Sequence, residues 1–368
     1  MNLISKEASF FDFKLFSSVV ALLALGLTAI YSVTFGEAGF NNFKRQLLFV
    51  FLALIVFWVV ARTNYGTWEN YAEALYVLGV VLMALVLIFG EKKRGAIGWL
   101  GYGGFNVQPV EFVKIAVILL VSKYFSRLGL EDRRGRHIFV SGLYVLLPIV
   151  LALKQPDLGS AAVLASIWFI IVLVRGIKRR HLGFLVVLFL VTSLFSWFLM
   201  LQPFQKARVV SFLNPESDPS GSGYHVLQSM TAIGSGGLYG KGLGYGSQSQ
   251  LHFLPEAHTD FIYGVIAEEL GLIGVLLLAG SFTLLFFRAY RIALKSVDNF
   301  GRFIVAGVMA LFFIQLLVNA GMNIGLVPVT GLPLPLVSYG GSALITEMFL
   351  LGVVFNIYSV SAKSEGYR

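Results

Sequence analysis

Cysteine is absent from the 368 residues, which excludes disulfides, thiolate zinc sites, iron–sulfur clusters and a cysteine nucleophile. Charge is scarce as well. Only 13% of residues are charged and 57% are hydrophobic, against about 25% and about 45–50% in soluble domains, so a soluble globule is excluded. The sequence contains no Walker A ending in GK[ST] and no dinucleotide fingerprint behind a strand, so nothing points to a nucleotide site. Acids number 19 against 28 Lys plus Arg, a formal charge of +9. Whether that excess signals nucleic acid depends on where it lies.

What the chain does contain is a series of apolar runs. A bilayer span takes roughly 20 apolar residues, and runs of that kind lie near 15–33, 46–61, 71–90, 109–126, 137–154, 159–174, 183–201, 261–287, 303–324 and 336–360, the second and sixth being short. The chain reads as one all-α integral membrane domain over residues 1–368, with about ten transmembrane helices and both termini on one side. With the termini inside, the inner connections carry 18 of the 28 Lys and Arg, the outer ones carry 9, and the last is Lys114 within a span. Positive charge marks cytoplasmic connections, so both termini are expected in the cytoplasm. The excess then serves contact with anionic headgroups, and no nucleic-acid partner is expected. The first run has the length of a span and no A-x-A cleavage site after it, so it reads as a retained anchor. The one large outer loop, 202–260, falls between helices 7 and 8 and holds nine glycines from Gly221 to Gly246. Long connections of this kind are usually functional, and the amphipathic pieces of this one place part of it at the membrane surface.

A charge inside a span costs at least about 2.5–3.5 kcal/mol on insertion scales, so each one needs a partner, a wet cavity or a job. In QPVEFVK, Glu111 and Lys114 stand three apart on one helix face, where they can pair; a packing role and a functional one are equally open. Glu73 opens the third span at headgroup level. KQPDLGS places Lys154, Pro156, Asp157 and Gly159 in the next outer turn, where ordinary turn chemistry accounts for part of the pattern. The large loop ends in FLPEAHTDFIYGVIAEELG, the densest acidic cluster, with Glu256, His258 and Asp260 ahead of Glu268 and Glu269. Thr259 or Asp260 can cap the following helix, which leaves the two glutamates facing a polar interior. His252 and His258 are six apart, off the spacing of helical zinc ligands, whereas a hard divalent cation on carboxylate and phosphate oxygens stays open. Arg208 and Lys241 are outer cations able to meet a phosphate, although the GSGGLYGKGLGYGS segment around Lys241 reads by itself as a flexible surface loop. TGLPLPLVSYGGS breaks the backbone where the tenth span begins, which lipid tolerates only beside a cavity or inside protein. Ser338, Tyr339 and Ser342 present hydroxyls there, and Glu347, deeper in the same span, reads as a partnered packing residue.

QPVEFVK, KQPDLGS, NPESDPSGSGYHVLQS, the long run ending in HTDFIYGVIAEELG, and TGLPLPLVSYGGS together resemble the signature segments of the SEDS proteins of bacteria, the family of RodA, FtsW and SpoVE. The resemblance covers nearly the whole chain. KQPDLGS, GSQSQLHFLPE and GLPLPLVSYGG are more similar to RodA members, while Ala257, where many of those carry Arg, is similar to FtsW. It implies a peptidoglycan glycosyltransferase that polymerises lipid II at the outer face of the bacterial cytoplasmic (inner) membrane, beside a class B penicillin-binding protein of the PBP2 type. By that resemblance Asp260 is the catalytic acidic position, as base or as part of a metal-assisted equivalent with Mg or Mn. Glu111, Lys114 and Asp157 join it in the catalytic set, and Arg208, Lys241, His258, Ser338 and Tyr339 are expected to bind substrate. No organic cofactor is implied. Two rival readings are a transporter of the lipid-linked precursor and a scaffold for the transpeptidase. The polar residues gather at one face instead of forming a path through, which disfavours the first, and a scaffold has no use for the acidic cluster.

Overall fold

The computed structural model describes residues 11–34, 40–93, 96–102, 105–128, 135–199, 201–218, 221–251 and 253–366. His252 and, among the inner cations, Lys6, Arg133, Arg134 and Arg368 lie outside them. Three helices open the chain, α1 (Phe13–Thr34), α2 (Asn41–Arg62) and α3 (Tyr65–Phe89). A helix rises about 1.5 Å per residue, so 22 residues reach roughly 33 Å, enough for a hydrocarbon core of about 30 Å. After α3 come three short antiparallel strands, β1 (Glu91–Lys93), β2 (Ala96–Tyr102) and β3 (Phe105–Val107), in the order β1-β2-β3. This small sheet is a local addition, not expected from the sequence, to a fold otherwise built of helices. Its glycines and short apolar pieces carry no periodicity long enough to announce strands.

The helices α4 (Pro109–Ser126), α5 (Gly135–Lys154), α6 (Leu158–Arg175) and α7 (Arg179–Leu199) follow, and the last three spans are α11 (Ile262–Lys295), α12 (Asn299–Asn323) and α13 (Gly341–Gly366). Nine described helices are long and apolar enough to cross a membrane. The one expected span missing from those nine, the fourth, is α4, which has 18 residues and holds Glu111, Lys114 and Lys123. Nearly all of α4 is buried, because α3, α5, α6, α12 and α13 pack around it. A helix apolar on every face belongs inside a bundle, and its three charges are affordable there only in pairs. Lys114 Nζ meets Glu111 Oε1 at 2.6 Å, and Lys123 Nζ meets Glu73 Oε2 at 2.6 Å at the opposite end. By contrast α7 buries none of its residues, leaving its apolar surface to lipid.

The outer loop is largely helical. It contains α8 (Pro203–Leu213), α9 (Ser222–Gly236) and the single turn α10 (Ser247–Gln250). Helix α9 lies on α11, and the approach is so close that a Cβ on Gly236 would stand against the carbonyl oxygen of Ala267. Helix α11 is interrupted at Gly271, whose φ of 63° is left-handed and suits glycine. In an unbroken helix Leu272 and Ile273 would donate to the carbonyls of Glu268 and Glu269. Instead those carbonyls accept from Lys241 N and Gly242 N, each at 3.0 Å, while Leu272 N and Ile273 N donate to Gly237 O and Leu238 O at 2.9 and 3.3 Å. The glycine-rich segment is therefore spliced into the helix as a short piece of ladder, not left as the flexible surface loop that its composition suggests.

Gly236→Ala must push α9 off α11 and is expected to cost about 1–3 kcal/mol, as overpacking does. Gly234→Ala, with nothing near its Cβ position, serves as the neutral companion. Thermal unfolding in detergent should show a lower Tm for the first variant only.

Candidate active site

At one end of the bundle, Asp260 sits in a turn immediately before α11. Thr259 N and Phe261 N donate to Glu256 O at 3.0 and 3.3 Å, and Glu256 itself has a φ of 54°. The N-cap of α11 is Phe261, with no side-chain cap. Asp260 therefore stands one residue before the N-cap, a position the sequence reading gave to Thr259 or Asp260. Two amides of α12 hold its backbone instead, Asn319 Nδ2 and Asn323 Nδ2 donating to Asp260 O at 3.0 and 3.1 Å. Asn323 Oδ1 also accepts from Gly264 N and Ser229 Oγ, which ties α9, α11 and α12 at one point.

Asp157 comes from the turn between α5 and α6. One carboxylate oxygen accepts from Ser160 N at 2.9 Å as the N-cap of α6, the turn role its sequence suggests, and the other takes Gln108 Nε2 at 3.5 Å. Gln108 precedes α4, and its backbone N–H donates to Ser342 Oγ at the start of α13 at 3.3 Å. Arg208, on α8, completes the group. Burial pushes its guanidinium down from its ordinary value, and the Asp260 and Asp157 carboxylates hold it up. Its Nη1 donates to Val329 O at 3.4 Å and its guanidinium carbon lies 5.8 Å from the Phe204 ring centroid. Asp260, Asp157, Arg208 and Gln108 are all half-buried, so the cluster is reachable from beyond that end of the bundle.

The other expected site residues lie beneath this cluster, beside it, or apart from it. Glu111 and Lys114 pair one to two turns deeper, with Lys114 fully buried. Glu347 joins them there, one oxygen accepting from Leu336 N at 2.8 Å. Ser338 Oγ donates to Thr259 O at 2.6 Å and accepts from Leu334 N at 2.8 Å, so its hydroxyl clamps the broken segment to the Asp260 turn. Tyr339 N donates to His258 O at 2.9 Å and the two rings meet edge to face at 5.3 Å. Lys241 lies apart from this group, bound to Glu268 Oε1 at 3.1 Å and Ser247 Oγ at 2.8 Å. Glu268 also accepts from Gln248 N and Ser249 N, and Glu269 from Ser32 Oγ, Ser249 Oγ and Gln250 Nε2. The two glutamates face a polar interior, as expected, and that interior is the spliced loop.

Sequence reasoning passed over Gln108, His225 and the α12 amides. Gln315, Asn319 and Asn323 stand four apart in an apolar helix, a stripe that was the available signal. His225, on α9, packs its ring 6.1 Å from that of Phe261. Among the described residues no three His, Asp or Glu side chains gather as a metal cage.

The model of the FtsW/RodA/SpoVE family, described as "Cell cycle protein", matches residues 13–363. The chain belongs to that family. Over 341 residues it is 39% identical to peptidoglycan glycosyltransferase MrdB of Escherichia coli strain K12, covering 93% of this chain and 91% of the relative. It is 40% identical over 358 residues to probable peptidoglycan glycosyltransferase FtsW of Trichlorobacter lovleyi, covering 94% and 93%. Among solved structures, the Thermus thermophilus rod shape determining protein RodA superposes with a TM-score of 0.72 at 31% identity, over 95% of this chain and 96% of that one. A chain from a structure describing how a peptidoglycan synthase complex coordinates polymerization and crosslinking superposes with a TM-score of 0.82 at 32% identity, over 95% and 98%. Family membership and the helices together make this a multi-pass membrane protein.

Two outcomes are expected from the geometry. Glu268→Ala strands Lys241 and two backbone donors, each unsatisfied group costing about 1–3 kcal/mol; hydrogen exchange should quicken across 237–250, whereas Asp260→Ala should leave that segment's exchange unchanged. For His225, burial pushes the imidazole below its ordinary value, Asp218 and Glu256 oppose the push, and Arg208 adds to it. The unfolded chain therefore takes up this proton first as pH falls. The contribution of His225 is intact above the unfolded value of about 6.5 and is lost as pH drops through the lower folded value. Between about pH 8 and about pH 5, Tm should fall more steeply in wild type than in His225→Gln; parallel curves would refute the assignment.

Proposed function

We propose that the chain is a peptidoglycan glycosyltransferase that polymerises lipid II at the outer face of the cytoplasmic membrane. The observation that carries this reading is the meeting of Asp260, Asp157 and Arg208, from three separate outer segments, at one end of the bundle. The acceptor's sugar 4-hydroxyl attacks the anomeric carbon of the lipid-linked donor. A C–O bond forms there, the bond from that carbon to the pyrophosphate breaks, and undecaprenyl pyrophosphate leaves. Asp260, half-buried and facing Arg208, receives the hydroxyl proton as general base. Arg208 offers a planar fork of donors to the departing pyrophosphate. Asp157 holds Arg208 in place and ties it through Gln108 to α4 and α13. Glu111, Lys114 and Glu347 support this floor from below, and Tyr339 and His258 line its side.

A hard divalent cation, Mg or Mn, fits this donor set only with substrate oxygens, since Mg is commonly held by one or two carboxylates plus phosphate. Asp260 and Asp157 would hold it, and it would supply positive charge to the pyrophosphate. The lipid tail enters sideways between helices, beside α4 and the outer loop. Crosslinking requires a transpeptidase, and a class B penicillin-binding protein docking on α11 and α12 is the partner this reading assigns. The KQPDLGS and GLPLPLVSYGG segments favour elongation and rod shape over division as the cellular role.

The purified chain, with its cognate penicillin-binding protein and moenomycin to silence other polymerases, should convert lipid II to glycan ladders. Asp260→Ala should reduce the rate by at least about 100-fold, the scale of a lost general base, with the protein folded and the complex formed. Ladders from Asp260→Ala at near the wild-type rate would remove Asp260 from catalysis. Ladders from neither protein would favour transport or scaffolding.

A further inference from the structure

The end of α11 farthest from Asp260 carries a second polar feature that the reaction does not use. Arg288, Arg291 and Lys295 follow at i, i+3 and i+7, on one helix face. They line a cavity of about 210 Å³ together with Tyr358 and Ser361 of α13. Helix α11 spans 34 residues, roughly 50 Å if straight, and Asp260 precedes its first residue. The cavity therefore lies at the opposite membrane face from the candidate active site.

Its walls are built, not incidental. Arg288 is fixed by Asp12, which accepts from Nε at 2.9 Å and Nη2 at 2.6 Å. Asp12 is itself 2% exposed and is also held by Leu15 N. The Arg291 guanidinium lies 4.7 Å from the Phe287 ring centroid, which orients a planar donor set over an aromatic face. A basic residue in the last turn answers the helix dipole, and Lys295 alone meets that need; Arg288 and Arg291 exceed it. Around this cationic wall, Phe287, Tyr290 and Leu294 are exposed, the aromatic and apolar surface that marks headgroup depth. On the other side of the same helix end, Ile170, Val174, Tyr290, Ala293 and Leu294 line a groove of about 170 Å³ with Arg302 at its edge.

Cations and hydroxyls lining the cavity, with exposed apolar helix surface beside it, are complementary to a phosphodiester carrying acyl chains. The cavity is smaller than the roughly 300–1,000 Å³ typical of sites that enclose drug-sized ligands, so it suits a headgroup better than a nucleotide. We propose that the Arg288–Arg291–Lys295 cavity binds the phosphate headgroup of an anionic membrane lipid at the face opposite Asp260. Phosphatidylglycerol and cardiolipin have the required chemistry, and basic pockets between transmembrane helices take such headgroups.

The test is native mass spectrometry of the purified full chain titrated with phosphatidylglycerol and, separately, with phosphatidylcholine of the same acyl chains. Arg291→Gln combined with Lys295→Gln removes two charges and leaves the Arg288–Asp12 bridge intact. Both side chains are exposed, so the variant should fold as wild type. Its retention of phosphatidylglycerol should fall by about 30-fold, with phosphatidylcholine unaffected. Lys44→Gln with Arg45→Gln, an equal charge loss beyond the other end of the bundle, should change nothing, and Ser361→Trp should weaken retention by filling the cavity without touching charge. Equal retention by wild type and the Arg291/Lys295 variant would overturn the site. Displacement of the bound lipid by inorganic phosphate would show that a free anion, not a lipid, is the ligand.

Discussion

Four backbone hydrogen bonds at the interruption of α11 hold the outer face together. A helix crossing lipid cannot leave N–H and C=O groups unpaired, so a break at Gly271 persists only if something else pairs with the freed groups. The glycine-rich segment does so, with Lys241 N and Gly242 N replacing Leu272 and Ile273 as donors, and Gly237 O and Leu238 O as acceptors. Glu268 and Glu269 sit at that seam and grip the same loop by their side chains. Ser32 of α1 joins the network by donating to Glu269 and accepting from Gly244 N at 2.8 Å. A segment rich in glycine thus becomes a fixed part of the fold, because close approach of backbone to backbone is what those glycines permit.

Fixing the loop also fixes the turn that carries Asp260. The chain leaves α10 and enters the turn that presents Asp260, and that turn is pinned from two further directions: Asn319 and Asn323 on its carbonyl, and Ser338 on the carbonyl of Thr259. Three elements from distant parts of the chain therefore define the position of one carboxylate. Such over-determination is how a reactive group is held ready at low reorganisation cost. The buried Glu111–Lys114 pair beneath it contributes little net stability of its own. Its effect is to fix where α4 stands, and α4 carries Gln108 to Asp157.

The spans are legible in the sequence because lipid imposes one length and one composition on each. The residues of the outer cluster are legible for a related reason: ionisable groups are so rare here that Asp157, Arg208 and Asp260 stand out without any knowledge of their neighbours. Neighbours are what the sequence withholds. Lys241 looks like a phosphate-seeking cation, yet its partner Glu268 lies 27 residues away across the spliced loop. Ser338 looks like a hydroxyl open to substrate, yet Thr259, 79 residues earlier, accepts from it. The strands from Glu91 to Val107 escape notice because seven residues is the longest of them, and short strands declare themselves through pairing more than through pattern. The Asn319 and Asn323 amides carry a readable signal, since polar groups in an apolar helix demand partners, but formal charge is the louder one.

The electrostatics of the outer cluster set a condition on any reaction there. Arg208 is faced by both Asp260 and Asp157, so with all three ionised the trio is net negative before any substrate arrives. A pyrophosphate brings further negative charge into a half-buried site where Coulomb terms exceed their values in water. Arg208 alone cannot balance three anionic groups. In the proposed reaction the hydroxyl proton passed to Asp260 as the leaving group departs restores part of that balance, and a hard cation held by Asp260 and Asp157 would supply positive charge to the same end. On the proposed assignment, proton uptake by Asp260 and charge development on the pyrophosphate are two sides of one step, and the acidity of the cluster, unfavourable for an empty anion site, is the feature that ties leaving-group departure to hydroxyl attack.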